Sequence, residues 1–227
     1  DFDRCLLISP RDRDHIANHV PEKVFFNPHG VDTEAFSPDR RPAETDGKLV
    51  VFTGGMQFQP NVDAACHFAR DLLPLVRRRV RDARFAIVGN RPTAAVRALA
   101  RLPGVTVTGH VPDIAAHLGR AAVAVDPLRV GAGLQNKVLE ALSMGVPMVA
   151  TPLANEGIGA VDGEHLLIRD DGEAFAEAVA RLLGDADLRG RLGQAGRQWI
   201  LRHWTWEHHF ARLEQMLLDL VASRRGR

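Results

Sequence analysis

The chain has 227 residues, enough for one domain with a full core and part of a neighbour. Its 29 basic and 28 acidic side chains nearly cancel, which excludes a global field that would hold nucleic acid or an anionic membrane. The cysteines Cys5 and Cys66 lie far apart and outside any C-x-x-C pair, which argues against a disulfide framework or a structural zinc and fits a reducing cytoplasm.

No run of about 18 apolar residues and no charged-then-apolar leader occurs, so neither a membrane span nor a signal peptide is expected. The chain opens at Asp1 rather than Met, and the expectation is a piece of something longer. Cys5 to Ser9 reads as a strand, Asp12 to His19 as a short helix and Val24 to Asn27 as a second strand. That is too little for a domain. Ser37 to Gly47 is polar with two prolines and reads as a linker. Residues 1–40 are therefore expected to be the end of an N-terminal domain with its linker, and 41–227 a separate domain.

From there, valine- and isoleucine-rich runs alternate with helical periods, the pattern of a parallel sheet covered on both faces. The strands expected are Leu49–Thr53, Phe85–Val88, Val105–Thr108, Ala122–Val125, Met148–Ala150 and Leu166–Ile168. Between them, Asn61–Val80, Thr93–Arg101, Ile114–Arg120 (capped by Asp113) and Leu134–Ser143 carry helical spacing. Glu173–Leu183, Asp187–Trp199 and Thr205–Ala222 close the chain as helices, broken at Gly184 and near Trp204. The fold class is α/β: a Rossmann-like, doubly wound parallel sheet of about six strands with closing helices.

In such a sheet ligands gather at the carboxyl ends of strands. Gly54 and Gly55 follow the first strand, where they either let amides approach a phosphate or merely make a tight turn. The fourth strand leads through Asp126 to Gly131, Ala132 and Gly133 into a helix starting at Leu134 and Gln135, whose unpaired amides and dipole favour an anion. Lys137 and Glu140 are three residues apart and share a helix face, so a cation can face phosphate while a carboxylate accepts from sugar hydroxyls. A solvated helical ion pair is the competing explanation of that spacing. His203, His208 and His209 stand among aromatic residues, and adjacent histidines point to different sides of a helix, so no metal is expected. The run Arg77, Arg78, Arg79 and Arg81 reads as a solvated helix end.

The stretch Lys137 to Thr151, KVLEALSMGVPMVAT, resembles the signature of retaining family-four (group 1) glycosyltransferases of the GT-B fold. Gly109-His110-Val111-Pro112-Asp113-Ile114 is similar to their G-x-V-x-D stretch, Asn27 to Phe36 to their interdomain N-G-V-D segment, and Trp204-Thr205-Trp206 to the element opening their closing helix. The resemblance spans almost the whole chain. It implies the C-terminal, donor-binding half of an enzyme whose acceptor half is the N-terminal domain, with a nucleoside-diphosphate sugar as donor substrate and no cofactor. Residue by residue, Glu140 would hold the donor ribose. Gly133 and Leu134, with Gln135, would meet the diphosphate, as would Gly54 and Gly55. Gly109 and His110 would lie near the base, and Glu156 near the sugar or as a helix cap.

Two departures stand out. The first glutamate of the family's E-x7-E pair falls on Ala132, and its usual basic pair falls on Gly55 and Pro60. Gly131, Gly133, Lys137, Leu139, Glu140 and Ala141 instead match the pattern G-x-G-x3-K-x-L-E-A of a branch associated with exopolysaccharide synthesis. Lys137 is then the cation expected to stabilise the leaving diphosphate, and so the catalytic candidate. A nucleotide-sugar epimerase of the same architecture and a catalytically silent binding module are the alternatives. Peripheral membrane association through the absent domain is compatible with this reading.

Overall fold

The computed structural model describes residues 2–9, 13–14, 16, 18–19, 21–43, 45–131, 133–170 and 172–225. Asp12, His15 and Ala17 of the expected first helix, and Ala132 of the glycine loop, lie outside the described residues.

Two short strands, β1 (Cys5–Leu7) and β2 (Val24–Phe26), pair in parallel and stand apart from the main sheet. The main sheet begins with β3 (Asp46–Thr53), earlier than its apolar run at Leu49, so the end of the expected linker is strand. It continues through β4 (Arg84–Val88), β5 (Val105–Val107), β6 (Ala121–Asp126), β7 (Met148–Ala150) and β8 (Leu167–Ile168). All of its pairings are parallel, in the order β5-β4-β3-β6-β7-β8. The expected α/β doubly wound sheet is thus present.

Strand alternation splits the core in two. Val50 and Phe52 of β3 join a cluster with Phe68, Phe85 and Phe175, while Val51 joins Val138, Leu142 and Ile200 on the other face. Helix α1 (Gln59–His67) passes through a π-helical segment, Phe68–Leu72, into α2 (Leu73–Arg79). The cause is Pro74, which has no amide to donate and crowds the carbonyl a turn earlier; the Leu73 amide bonds back to the Phe68 carbonyl instead. Next come α3 (Ala94–Ala98), α4 (Ile114–Gly119), α5 (Asn136–Ser143) and a short α6 (Pro152–Asn155) that periodicity did not reveal. Helices α7 (Gly172–Gly184), α8 (Ala186–His203) and α9 (Trp206–Arg225) close the chain, with Trp204 at the break.

The segment leading from β2 to the sheet is stapled to α8 and α9. Val31 donates to the Trp204 carbonyl at 2.8 Å, and Arg197 donates to the carbonyls of Thr33 and Phe36. Among the described residues no helix is long and apolar enough to cross a membrane.

Candidate functional site

Strands β3 and β6 are neighbours, yet β4 and β5 build the sheet to one side and β7 and β8 to the other. Loops leaving β3 and β6 therefore diverge and leave a crevice beyond their carboxyl ends. A cleft of about 560 Å³ opens there, walled by the turns after β3, β4 and β5 and by the start of α5.

Main chain forms the floor. The Gly54 amide donates to the Val88 carbonyl at 3.0 Å, and a Cβ built on Gly89 would stand 1.7 Å from the Gly54 carbonyl oxygen. Gly54 itself holds φ 154°, and a Cβ there would press to 2.7 Å from the side-chain Nδ2 of Asn61. Packing thus accounts for Gly54 without a ligand. Gly55 is different: a Cβ would make only ordinary contacts, from 3.4 Å, and the residue lines the cleft.

Helix α5 begins at Asn136, two residues later than its periodicity indicated. Side chains of Thr93, Asp113, Thr151 and Asp185 cap α3, α4, α6 and α8, whereas Gln135 at the head of α5 gives no such bond. Unpaired amides and the positive end of the helix dipole face the cleft beside Gly133 and Leu134.

Lys137 projects from that first turn and is only 8% exposed. Its ammonium donates to the Gln135 side-chain oxygen at 2.8 Å and meets the Asp126 carboxylate at 3.3 Å, over the Phe52 ring at 5.4 Å. Lys137 is therefore not a surface partner of Glu140. Its anion is Asp126, fully buried at the end of β6. Burial pushes the Asp126 carboxyl up and Lys137 pulls it back, while one carboxylate oxygen has no partner among the described residues.

Glu140, one turn further on, lines the cleft and also a second cavity of about 300 Å³ bounded by His29, Asp32 and Trp206. Burial pushes its carboxyl up, against the pull of Lys137. A desolvated carboxylate on a wall between two cavities is the kind of group that marks a binding site.

Gly54, Gly55, His110, Gly133, Leu134, Gln135, Lys137 and Glu140 all line the cleft. Gly109, Gly131 and Glu156 do not. Gly109 holds φ 70° in the turn before His110, Gly131 lies against Pro60, and Glu156 is exposed at the carboxyl end of α6, whose cap is Thr151. The structure adds Asp126 and Asn61. An acidic residue ending an otherwise apolar strand was the available signal for the first; nothing in the sequence marked the second. Arg91, after β4, holds φ 48°, an uncommon conformation for a residue with a side chain, next to Asn90 on the cleft wall. Arg129 is turned away, held by Asp63 through two bonds of 3.0 and 2.6 Å.

The three histidines differ in exposure: His203 and His208 are exposed and His209 is buried. Among the described residues no group of three or more His, Cys, Asp or Glu side chains could hold a metal ion.

The family model described as glycosyl transferases group 1 matches residues 47–185. A GDP-mannose-dependent alpha-(1-6)-phosphatidylinositol monomannoside mannosyltransferase of Mycolicibacterium smegmatis is 33% identical over 215 residues, which cover 84% of this chain and 55% of that protein. Its namesake from Mycobacterium tuberculosis is 32% identical over 88% of this chain and 57% of its own length. The chain thus spans little more than half of these relatives. A glycosyltransferase from Rickettsia africae superposes with a TM-score of 0.81 at 12% identity, covering 96% of this chain and 64% of that one. Sucrose-phosphate synthase of Thermosynechococcus elongatus superposes at 0.78 with 20% identity, over 98% and 59%.

Proposed function

This chain belongs to the group 1 glycosyl transferases, and from that premise we propose that it is the donor-binding half of an enzyme moving a sugar from a nucleoside diphosphate to an acceptor with retention of configuration. Residues 1–40 then belong to the end of the acceptor domain and its linker, and 41–227 to the donor domain. Supporting this division, β1 and β2 form a two-stranded parallel sheet with Leu6 and Ile8 exposed, whereas parallel strands as a rule belong to larger sheets covered on both faces.

The observation that carries the reading is Glu140: a carboxylate desolvated by burial, one turn beyond an uncapped helix N-terminus, open to the cleft. A diphosphate at the amides of Gly133 to Asn136 would place the attached ribose one helical turn deeper, where Glu140 accepts from its hydroxyls. His110 and Val111 then face the base. Lys137, oriented by Asp126, is the catalytic residue: its remaining ammonium hydrogen points charge at the departing diphosphate, and preorganised charge of this kind is the largest contribution in many transfer sites. The two mycobacterial relatives are named for GDP-mannose, which makes a guanosine donor the first to test. Synthesis of an exopolysaccharide or another cell-surface glycan is the setting we infer for the full-length protein.

A thermal-shift panel of guanosine, uridine and adenosine diphosphates and their sugars tests this. At a ligand concentration of about 100 Kd the gain is about 2.7 kcal/mol, or roughly 5–10 °C for a domain this size. Glu140→Ala is expected to weaken nucleoside diphosphate binding about tenfold or more while leaving the free protein no less stable, since it removes a desolvated carboxylate. Affinity unchanged in Glu140→Ala refutes the ribose assignment, and a panel without any shift refutes the donor site.

A further inference from the structure

At the other end of α5, about 12 Å of helix away from the donor cleft, another cavity of about 420 Å³ lies between the α5–β7 turn and α8. Arg41, Arg189 and Arg197 line it together with the amides of Gln194 and Gln198, and among the described residues no aspartate or glutamate does. All three arginines are at least half buried, and all bond to neutral acceptors. Arg41 donates to the carbonyls of Gly145 at 2.6 Å and Ala121 at 3.3 Å. Arg189 donates to those of Leu182 and Leu183, and Arg197 to Thr33, Phe36 and the Ser143 hydroxyl.

Clamping carbonyls explains one arginine at a time. It does not explain three cations converging on one hollow with no carboxylate ion-paired to any of them among the described residues. Each guanidinium carries five N–H donors, and among the described residues the Nε atoms of all three remain unbonded, as does Nη2 of Arg189. The charges also act on one another: burial lowers the affinity of Arg41 for its proton, and the Arg189 charge lowers it further. Asp39 acts on Arg197 only at longer range. One oxyanion would answer the excess charge and the unused donors together.

We propose that this cavity is an anion site for a phosphate group, either a free phosphate or the phosphomonoester headgroup of a lipid, distinct from the donor cleft. Gly190 supplies an internal probe. It lies in α8 on the cavity wall, and a Cβ built there meets nothing within 4 Å, so a carboxylate can be introduced without steric conflict.

Inorganic phosphate is titrated calorimetrically into the wild type, Arg189→Gln, Gly190→Asp and, as the control at the donor cleft, Lys137→Met paired with Asp126→Asn. Affinity is expected to fall about tenfold or more in the first two variants and to persist in the cleft variant. Arg189→Gln alone risks loosening α7 from α8; Gly190→Asp does not, and it is expected to melt no lower than the wild type. Flotation with phosphatidylcholine vesicles containing phosphatidic acid then separates the sources. Retention lost in Gly190→Asp identifies a lipid headgroup, and phosphate binding without retention identifies a free phosphate. No phosphate binding in the wild type, unchanged affinity in Gly190→Asp, or loss only in the cleft variant overturns the site.

Discussion

Removing the Lys137 ammonium should harm the fold before it harms any reaction. In Lys137→Met the Asp126 carboxylate keeps its complete burial and loses its cation, with one oxygen already unpartnered among the described residues. Breaking a buried pair from one side costs about 3–5 kcal/mol. For a domain of this size that is a fall of roughly 6–20 °C in Tm. Asp126→Asn in the same chain removes the stranded charge, and the double variant should recover most of the loss, because an uncharged replacement of a whole buried pair is close to neutral. The pH dependence has a definite sign. Burial raises the folded-state pKa of Asp126, so a lone Asp126 favours the fold below its ordinary value of 3.8 and disfavours it as pH rises through the raised value. The deficit of Lys137→Met should accordingly be smallest in acid and grow toward neutrality. Urea melts of the wild type, both single variants and the double variant at pH 4 and pH 7 give the coupling energy. A value under about 0.5 kcal/mol at pH 7, or a double variant no better than Lys137→Met, would refute the reasoning. Kinetics of Lys137 variants are best read in the Asp126→Asn background.

Two further outcomes follow from buried groups elsewhere. His209 is 3% exposed, neither ring nitrogen has a hydrogen-bond partner among the described residues, and burial, reinforced by His208 and Arg212, depresses its pKa from 6.5 to about 4. The unfolded chain takes up this proton first, so stability present above pH 6.5 is lost as pH falls toward 4, by about 3 kcal/mol in all. His209→Phe should flatten that part of the profile, and identical pH profiles for the two proteins would sink the assignment. Gly193 lies in α8 where a Cβ would stand 2.3 Å from the Gly145 carbonyl oxygen. Gly193→Ala should therefore lower stability by about 2 kcal/mol or more, despite the gain of about 1 kcal/mol that alanine brings to a helix interior. A rise in Tm contradicts the close approach.

Much of this was legible because short, valine-rich apolar runs such as Val50-Val51-Phe52 and Val123-Ala124-Val125 fit strands buried on both faces. The glycine loop before α5 and the lysine after it pointed to the cleft wall, since local chain geometry decides where a helix N-terminus faces. Relations between elements were not legible. Spacing paired Lys137 with Glu140, but the rotation of α5 over β6 gives it to Asp126, eleven positions away in sequence. Glu156 follows β7 as a site residue would, yet α6 carries it to the surface. The convergence of Arg41, Arg189 and Arg197 joins segments more than 140 residues apart, a distance no periodicity spans.

The crossing of the Gly54 and Gly89 backbones limits how the cleft can change. Its floor is one main-chain turn resting on another, with no room for even a methyl group at Gly89. Substitution there cannot retune the pocket; it can only push the two turns apart. The walls are under no such constraint, since His110 and Val111 ride on the β5–α4 connection, Ile114 on the first turn of α4, and Gln135 and Asn136 on the head of α5. Anyone redesigning what this cleft accepts has a fixed bed and an adjustable rim, and libraries confined to those rim positions would explore new ligands without spoiling the fold beneath them.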